Sequence, residues 1–172
     1  MVTFRRFLVV QILLLWQGGF LFYASFVVPA GTRLLGRMGQ GAITARVTDA
    51  LNIIGVMGVA IFALELSLTR DPNKHRTARR WWIWGVAMLC QFLLVYLHLA
   101  LDAMMDDDRK RVLIRAAFRQ AHAIYLWVST AQWIACLLLT WATLRAWKAE
   151  DEIRMNPRDA ANTGQGMRPE KD

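Results

Sequence analysis

Two histidines and a carboxylate are the residues of this chain whose types and spacing could do chemistry. His98 and Asp102 lie four apart, which puts them on one face of a helix, and Gln91, one heptad before His98, shares that face. His122 and Tyr125 open a later apolar run. If the two runs pack antiparallel, the imidazoles sit at matching depth. Two imidazoles with a carboxylate a turn away could hold a transition metal such as copper or zinc, or ligate a haem, with the carboxylate orienting an imidazole or ligating directly. The same residue types also make ordinary helix–helix hydrogen bonds, and two histidines fall short of a full set. The candidate metal residues are thus His98, His122 and Asp102, and no cofactor is firmly implied.

The second constellation is amide. Gln17, Gln91 and Gln132 each fall near the middle of a separate apolar run. Three glutamines offer enough donors and acceptors to close a ring, as glue between helices or as a polar way-station for a small solute or proton. Gln132 also belongs to a stripe. His122, Tyr125, Ser129, Gln132, Cys136, Thr140 and Thr143 recur every three or four residues, so a helix gathers them into an arc of roughly 80°. Unpartnered polar groups cost several kcal/mol in hydrocarbon, so the stripe must face protein or water. The expected polar interior is Gln17, Gln91, Tyr125, Ser129 and Gln132, with Tyr23 and Asn52 on the same side of the membrane as His98.

Glu65 is a lone acid near the end of the second run. It reads as a snorkelling side chain paired with the basic loop at Arg70 and Arg79–Arg80, or as a proton relay. No nucleophile elbow, phosphate-binding glycine loop or H-E-x-x-H pattern occurs, so the chain is expected to be non-enzymatic.

The elements that must position these residues are four apolar runs in 172 residues, about 7–28, 49–68, 81–101 and 120–144. Each is close to the roughly 20 residues that carry a helix across a bilayer. An all-α, four-helix transmembrane bundle is therefore expected, an integral membrane domain over 1–148 with a disordered polar tail over 149–172. Gln17-Gly18-Gly19 and the pair Gly55 and Gly58 mark faces for close helix approach. Pro29 and Gly31 are expected to end the first helix, leaving Pro29–Thr48 as a loop on the membrane interface, and Asp71-Pro72-Asn73 to end the second.

The net charge of +8 lies beside the runs, where it sets topology and attracts anionic lipid headgroups; it does not point to nucleic acid. Arg5 and Arg6, the loop from Arg70 to Arg80, and Arg145 with Lys148 place both termini in the cytoplasm, against a basic third loop. In a bacterium this is the inner membrane. The first run exceeds a signal-peptide core and lacks an A-x-A-like site, so it reads as an anchor. Trp81, Trp82, Trp84, Trp141 and Trp147 form an interfacial belt, and Cys90 and Cys136 are read as small fillers, with a bridge left open. Homo-oligomerisation or a membrane partner subunit is open as well.

Gln17-Gly18-Gly19-Phe20 through Ser25-Phe26-Val27-Val28-Pro29, the Gly/Arg loop, and Phe118-Arg119-Gln120-Ala121-His122 together resemble the transmembrane protein 205-like family. That resemblance implies a small four-helix membrane protein without established catalytic residues, and carries over His122 as the family's recurrent histidine. Gln40-Gly41-Ala42-Ile43-Thr44 and Val47-Thr48 depart from it, standing where an aromatic stretch is expected. A looser similarity to copper-resistance D-like membrane proteins favours metal.

Overall fold

The computed structural model describes residues 2–106, 111–112 and 115–155. The acidic–basic run at 107–110 and the tail over 156–172 lie outside the described residues. Three helical stretches make up almost all of what is described: α1, Val2–Leu68; α2, Lys74–Ala103; and α3, Arg115–Met155. A two-residue antiparallel ladder, Met105–Asp106 with Arg111–Val112, joins α2 to α3. All three helices are long and apolar enough to cross a membrane. Leu14, Phe22, Leu64, Leu89, Phe92 and Trp127 point outward, an apolar exterior that suits lipid and would be a liability in water.

The expected break between the first and second runs is not a loop. α1 runs through both, and Gly36 alone departs from helical geometry, at φ 71° and ψ 172°. A positive φ with an extended ψ is essentially a glycine conformation and costs other residues about 1–3 kcal/mol. Around it the two limbs, 2–35 and 37–68, lie antiparallel: Tyr23 bonds Thr44, Gly19 meets Leu51, Trp16 rests on Gly58 and Arg5 pairs with Glu65. The expected interfacial loop Pro29–Thr48 is therefore helical. Pro29 is tolerated because a π-turn, Tyr23–Val27, precedes it, and the Val28 amide donates to the Tyr23 carbonyl five residues back.

Asp71-Pro72-Asn73 does break the chain, as expected. Asn73 caps α2 by accepting from the Arg76 amide at 3.0 Å. Asp71 accepts from the Asn73 amide at 2.9 Å and from the Arg76 guanidinium. Partial burial opposes ionisation of Asp71, but those hydrogen bonds and the charges of Arg76 and Arg80 hold its carboxyl below the usual range.

The core is assembled from small-to-large contacts. Trp16, Val59, Ala87, Ala135 and Cys136 form one cluster, and Val9, Phe62, Leu66 and Leu139 the next. A methyl on Gly58 would stand 2.6 Å from Trp16 Cε3, so glycine is what lets the two limbs of α1 close on the indole. At its far end α3 continues to Met155, past the tail boundary expected at 149, because Glu150 is drawn into the bundle.

Candidate functional site

The polar side chains lie along the bundle axis in three layers. Nearest the Gly36 end, the Gln40 amide donates to Tyr23 Oη at 3.0 Å, and the Tyr23 hydroxyl donates to Thr44 Oγ1 at 2.9 Å. Below them sits His98, buried on α2, with Nε2 2.6 Å from Asp49 Oδ1 and 3.4 Å from Asp102 Oδ2. Asp49 belongs to the return limb of α1, so the histidine bridges α1 and α2. Ligand atoms of Asp49, His98 and Asp102 all lie within 4.8 Å of one another.

His122 is not among them. It is exposed on α3 and stacks on Phe118 at 6.0 Å between ring centroids. On an ideal helix it sits about 80° from Gln132, at the edge of the stripe, where a small rotation turns a side chain outward. The expected pairing of His98 with His122 is thus replaced by His98 with Asp49. The spacing that could have revealed Asp49 is present: it lies three residues before buried Asn52, about 60° from it on an ideal helix.

The rest of the stripe turns inward. Ser129, Gln132, Cys136 and Thr143 are buried, and Tyr125 and Thr140 half-buried. At mid-depth Gln132 Nε2 donates to Gln91 Oε1 at 2.9 Å and to the Ala87 carbonyl at 3.4 Å. Gln91 Nε2 donates in turn to the Asn52 carbonyl at 3.3 Å and to Asn52 Oδ1 at 3.4 Å. Asn52 and Ser129 neighbour the Tyr125 hydroxyl. Gln17, expected in this ring, is half-buried with its carbonyl oxygen unbonded; Asn52 takes its place. Trp16 fills the space between, its Nε1 beside Gly55.

A third layer at the terminal end is a knot of charges from all three helices. Arg5 Nε lies 2.9 Å from Glu65 Oε2, and Arg5 Nη2 lies 2.8 Å from Glu150 Oε2. Arg6 reaches Asp151 Oδ2 at 2.8 Å and Glu150 Oε2 at 3.1 Å, donates to the Trp147 carbonyl at 3.2 Å, and stacks over that indole. Trp147 Nε1 and Thr69 Oγ1 both donate to Glu65 Oε1. Arg80, 1% exposed, donates to Thr143 at 3.4 Å. Glu65 was expected to snorkel toward the basic loop; it is instead fully buried and held by the N-terminal arginine. Of the tryptophans expected in the interfacial belt, Trp84 and Trp147 are half-buried, Trp84 Nε1 donating to the Val59 carbonyl at 2.9 Å. Trp82 and Trp141 stay exposed.

Between the amide layer and this knot lies the apolar cluster of Val9, Phe62, Leu66 and Leu139. A cavity of about 40 Å³ beside Thr140, Thr143 and Trp147 has room for roughly one water. Cys90 and Cys136 are free thiols. Comparison with known protein families, with characterised proteins and with solved structures finds no match to this chain.

Proposed function

We propose that this is a non-enzymatic integral membrane protein that crosses the bilayer four times, once with each limb of α1 and once each with α2 and α3. The observation that carries the reading is the pairing of Arg5 and Arg6 with Glu65, Glu150 and Asp151. It brings the N-terminal end of α1 beside the C-terminal end of α3, as an even number of crossings requires. On this reading both termini are cytoplasmic, following the basic segments that flank them. The polar layers are packing devices: amide bonds between helices contribute about 0.6–1.7 kcal/mol each in a membrane, and here Gln132, Gln91 and Asn52 form a chain of them across the helices. The apolar cluster beneath the glutamines argues against a continuous solute or proton path within one chain.

Membership of a transmembrane protein 205-like group is part of the proposal, resting on the sequence motifs and the four-limb plan. Anionic lipid headgroups are the proposed partners of the exposed basic residues Arg70, Lys74 and Arg79, with an oligomer or a membrane partner subunit to complete the assembly. Gln132→Leu separates packing from transport: in reconstituted vesicles the packing reading expects lower stability and no change in flux, whereas abolished flux in a folded bundle would establish a pathway.

A further inference from the structure

We infer that Asp49, His98 and Asp102 form a binding site for one divalent transition-metal ion of borderline softness, zinc in type, at the Gly36 end of the bundle. The inference goes beyond the packing role above. Two carboxylates converge on the same ring nitrogen, His98 Nε2, at 2.6 and 3.4 Å. One N–H proton makes a single strong hydrogen bond, so a proton there serves Asp49 and leaves Asp102 at the outer limit of bonding. A metal ion accepts lone pairs from all three groups at once.

The geometry needs little adjustment. Zinc bound at about 2.0–2.2 Å to nitrogen and oxygen in a tetrahedron sets its ligand atoms about 3.4 Å apart. The His98–Asp102 separation already has that value, and all three ligand atoms lie within 4.8 Å. The His98–Asp49 pair must open by under about 1 Å, and the Asp49 side chain, 51% exposed, is free to turn. His98 is held between helices with its side chain 10% exposed, the fixed ligand of the three. Among the described residues no lysine or arginine pairs with Asp49 or Asp102, although the chain carries an excess of basic residues. Nitrogen and carboxylate donors without a thiolate suit zinc, manganese or iron(II) rather than copper(I). Three protein ligands leave a fourth position for water.

The test is metal binding by the full chain purified in detergent, with cobalt(II) as a spectroscopic stand-in for zinc. One cobalt per chain with visible d–d absorption, displaced by zinc, is expected. Asp49→Asn, His98→Ala and Asp102→Asn should each weaken binding by at least about tenfold, and His122→Ala should leave it unchanged. Asp102→Asn decides if His98→Ala fails to fold, because it spares the His98–Asp49 contact; its elution and tryptophan emission report the fold. No binding at free metal up to about 1 mM, wild-type binding in folded Asp102→Asn, or loss of binding in His122→Ala would each overturn the site.

Discussion

Replacing Glu65 by leucine should be the most damaging single change to the bundle. The Glu65 side chain is fully buried, and both of its oxygens are engaged, by Arg5, Trp147 and Thr69. Three cations, Arg5, Arg6 and Arg80, and three anions, Glu65, Glu150 and Asp151, make up the knot, with exposed Arg154 at its rim 3.8 Å from Glu150. Glu65→Leu removes a negative charge beside Arg80, which is 1% exposed and among the described residues has Thr143 as its one hydrogen-bond partner. Stripping one partner from a buried pair costs about 3–5 kcal/mol. Arg5 keeps Glu150 at 2.8 Å, which favours the lower end. A loss of about 3 kcal/mol shifts the folding equilibrium by more than a hundredfold. Unfolding in mixed micelles by increasing sodium dodecyl sulfate, followed by tryptophan emission, measures it. Arg5→Leu with Glu65→Leu restores the balance and should recover at least about 1 kcal/mol, since apolar replacements of buried pairs are often neutral. A cost for Glu65→Leu under about 1 kcal/mol, or a double variant as unstable as the sum of its singles, would refute a coupled knot.

Four further outcomes are expected, three from the same unfolding assay and one from acid unfolding. Gly58→Ala drives a methyl into Trp16 and should cost about 1–3 kcal/mol. Gly36→Ala meets no atom within 4 Å, so its cost of about 1–3 kcal/mol is purely backbone. Gln132→Leu should lose about 0.6–1.7 kcal/mol through its bonds to Gln91 and Ala87. The Asp71 carboxyl titrates lower in the folded chain than in the unfolded one, so its stabilisation is present above the ordinary carboxylate range near pH 4 and is lost as pH falls through the lowered value. Acid unfolding of Asp71→Asn should therefore lack that component; an unchanged profile would remove it.

The inward face of α3 was legible because Ser129, Gln132, Cys136 and Thr143 obey one helical period in a segment where a lipid-facing polar group is costly. The apolar runs likewise announced where membrane-length helices lie. The hairpin of α1 was hidden by its composition: glycine and proline between Pro29 and Gly41 usually signal a loop, yet a single positive φ at Gly36 and a π-turn before Pro29 absorb the whole reversal. His122 misled because periodicity fixes an arc to within tens of degrees, and the edge of the arc faces outward. Asp49 was overlooked as a boundary residue, although its spacing from Asn52 placed it at the edge of the inner face. The charge knot joins residues 145 apart, Arg5 to Glu150. No periodicity within one helix can report such a pair, and Arg5 and Arg6 had a sufficient reading as topology signals.

Side-specific labelling tests the four-crossing plan most directly. In a Cys90→Ser, Cys136→Ser background, single cysteines at Arg37, His75 and Ala103, all exposed positions, are offered a membrane-impermeant maleimide on intact and on opened cells. With cytoplasmic termini, Arg37→Cys and Ala103→Cys label in intact cells, and His75→Cys only after opening. Arg37→Cys labelling from the same side as His75→Cys would contradict the hairpin and the four crossings with it.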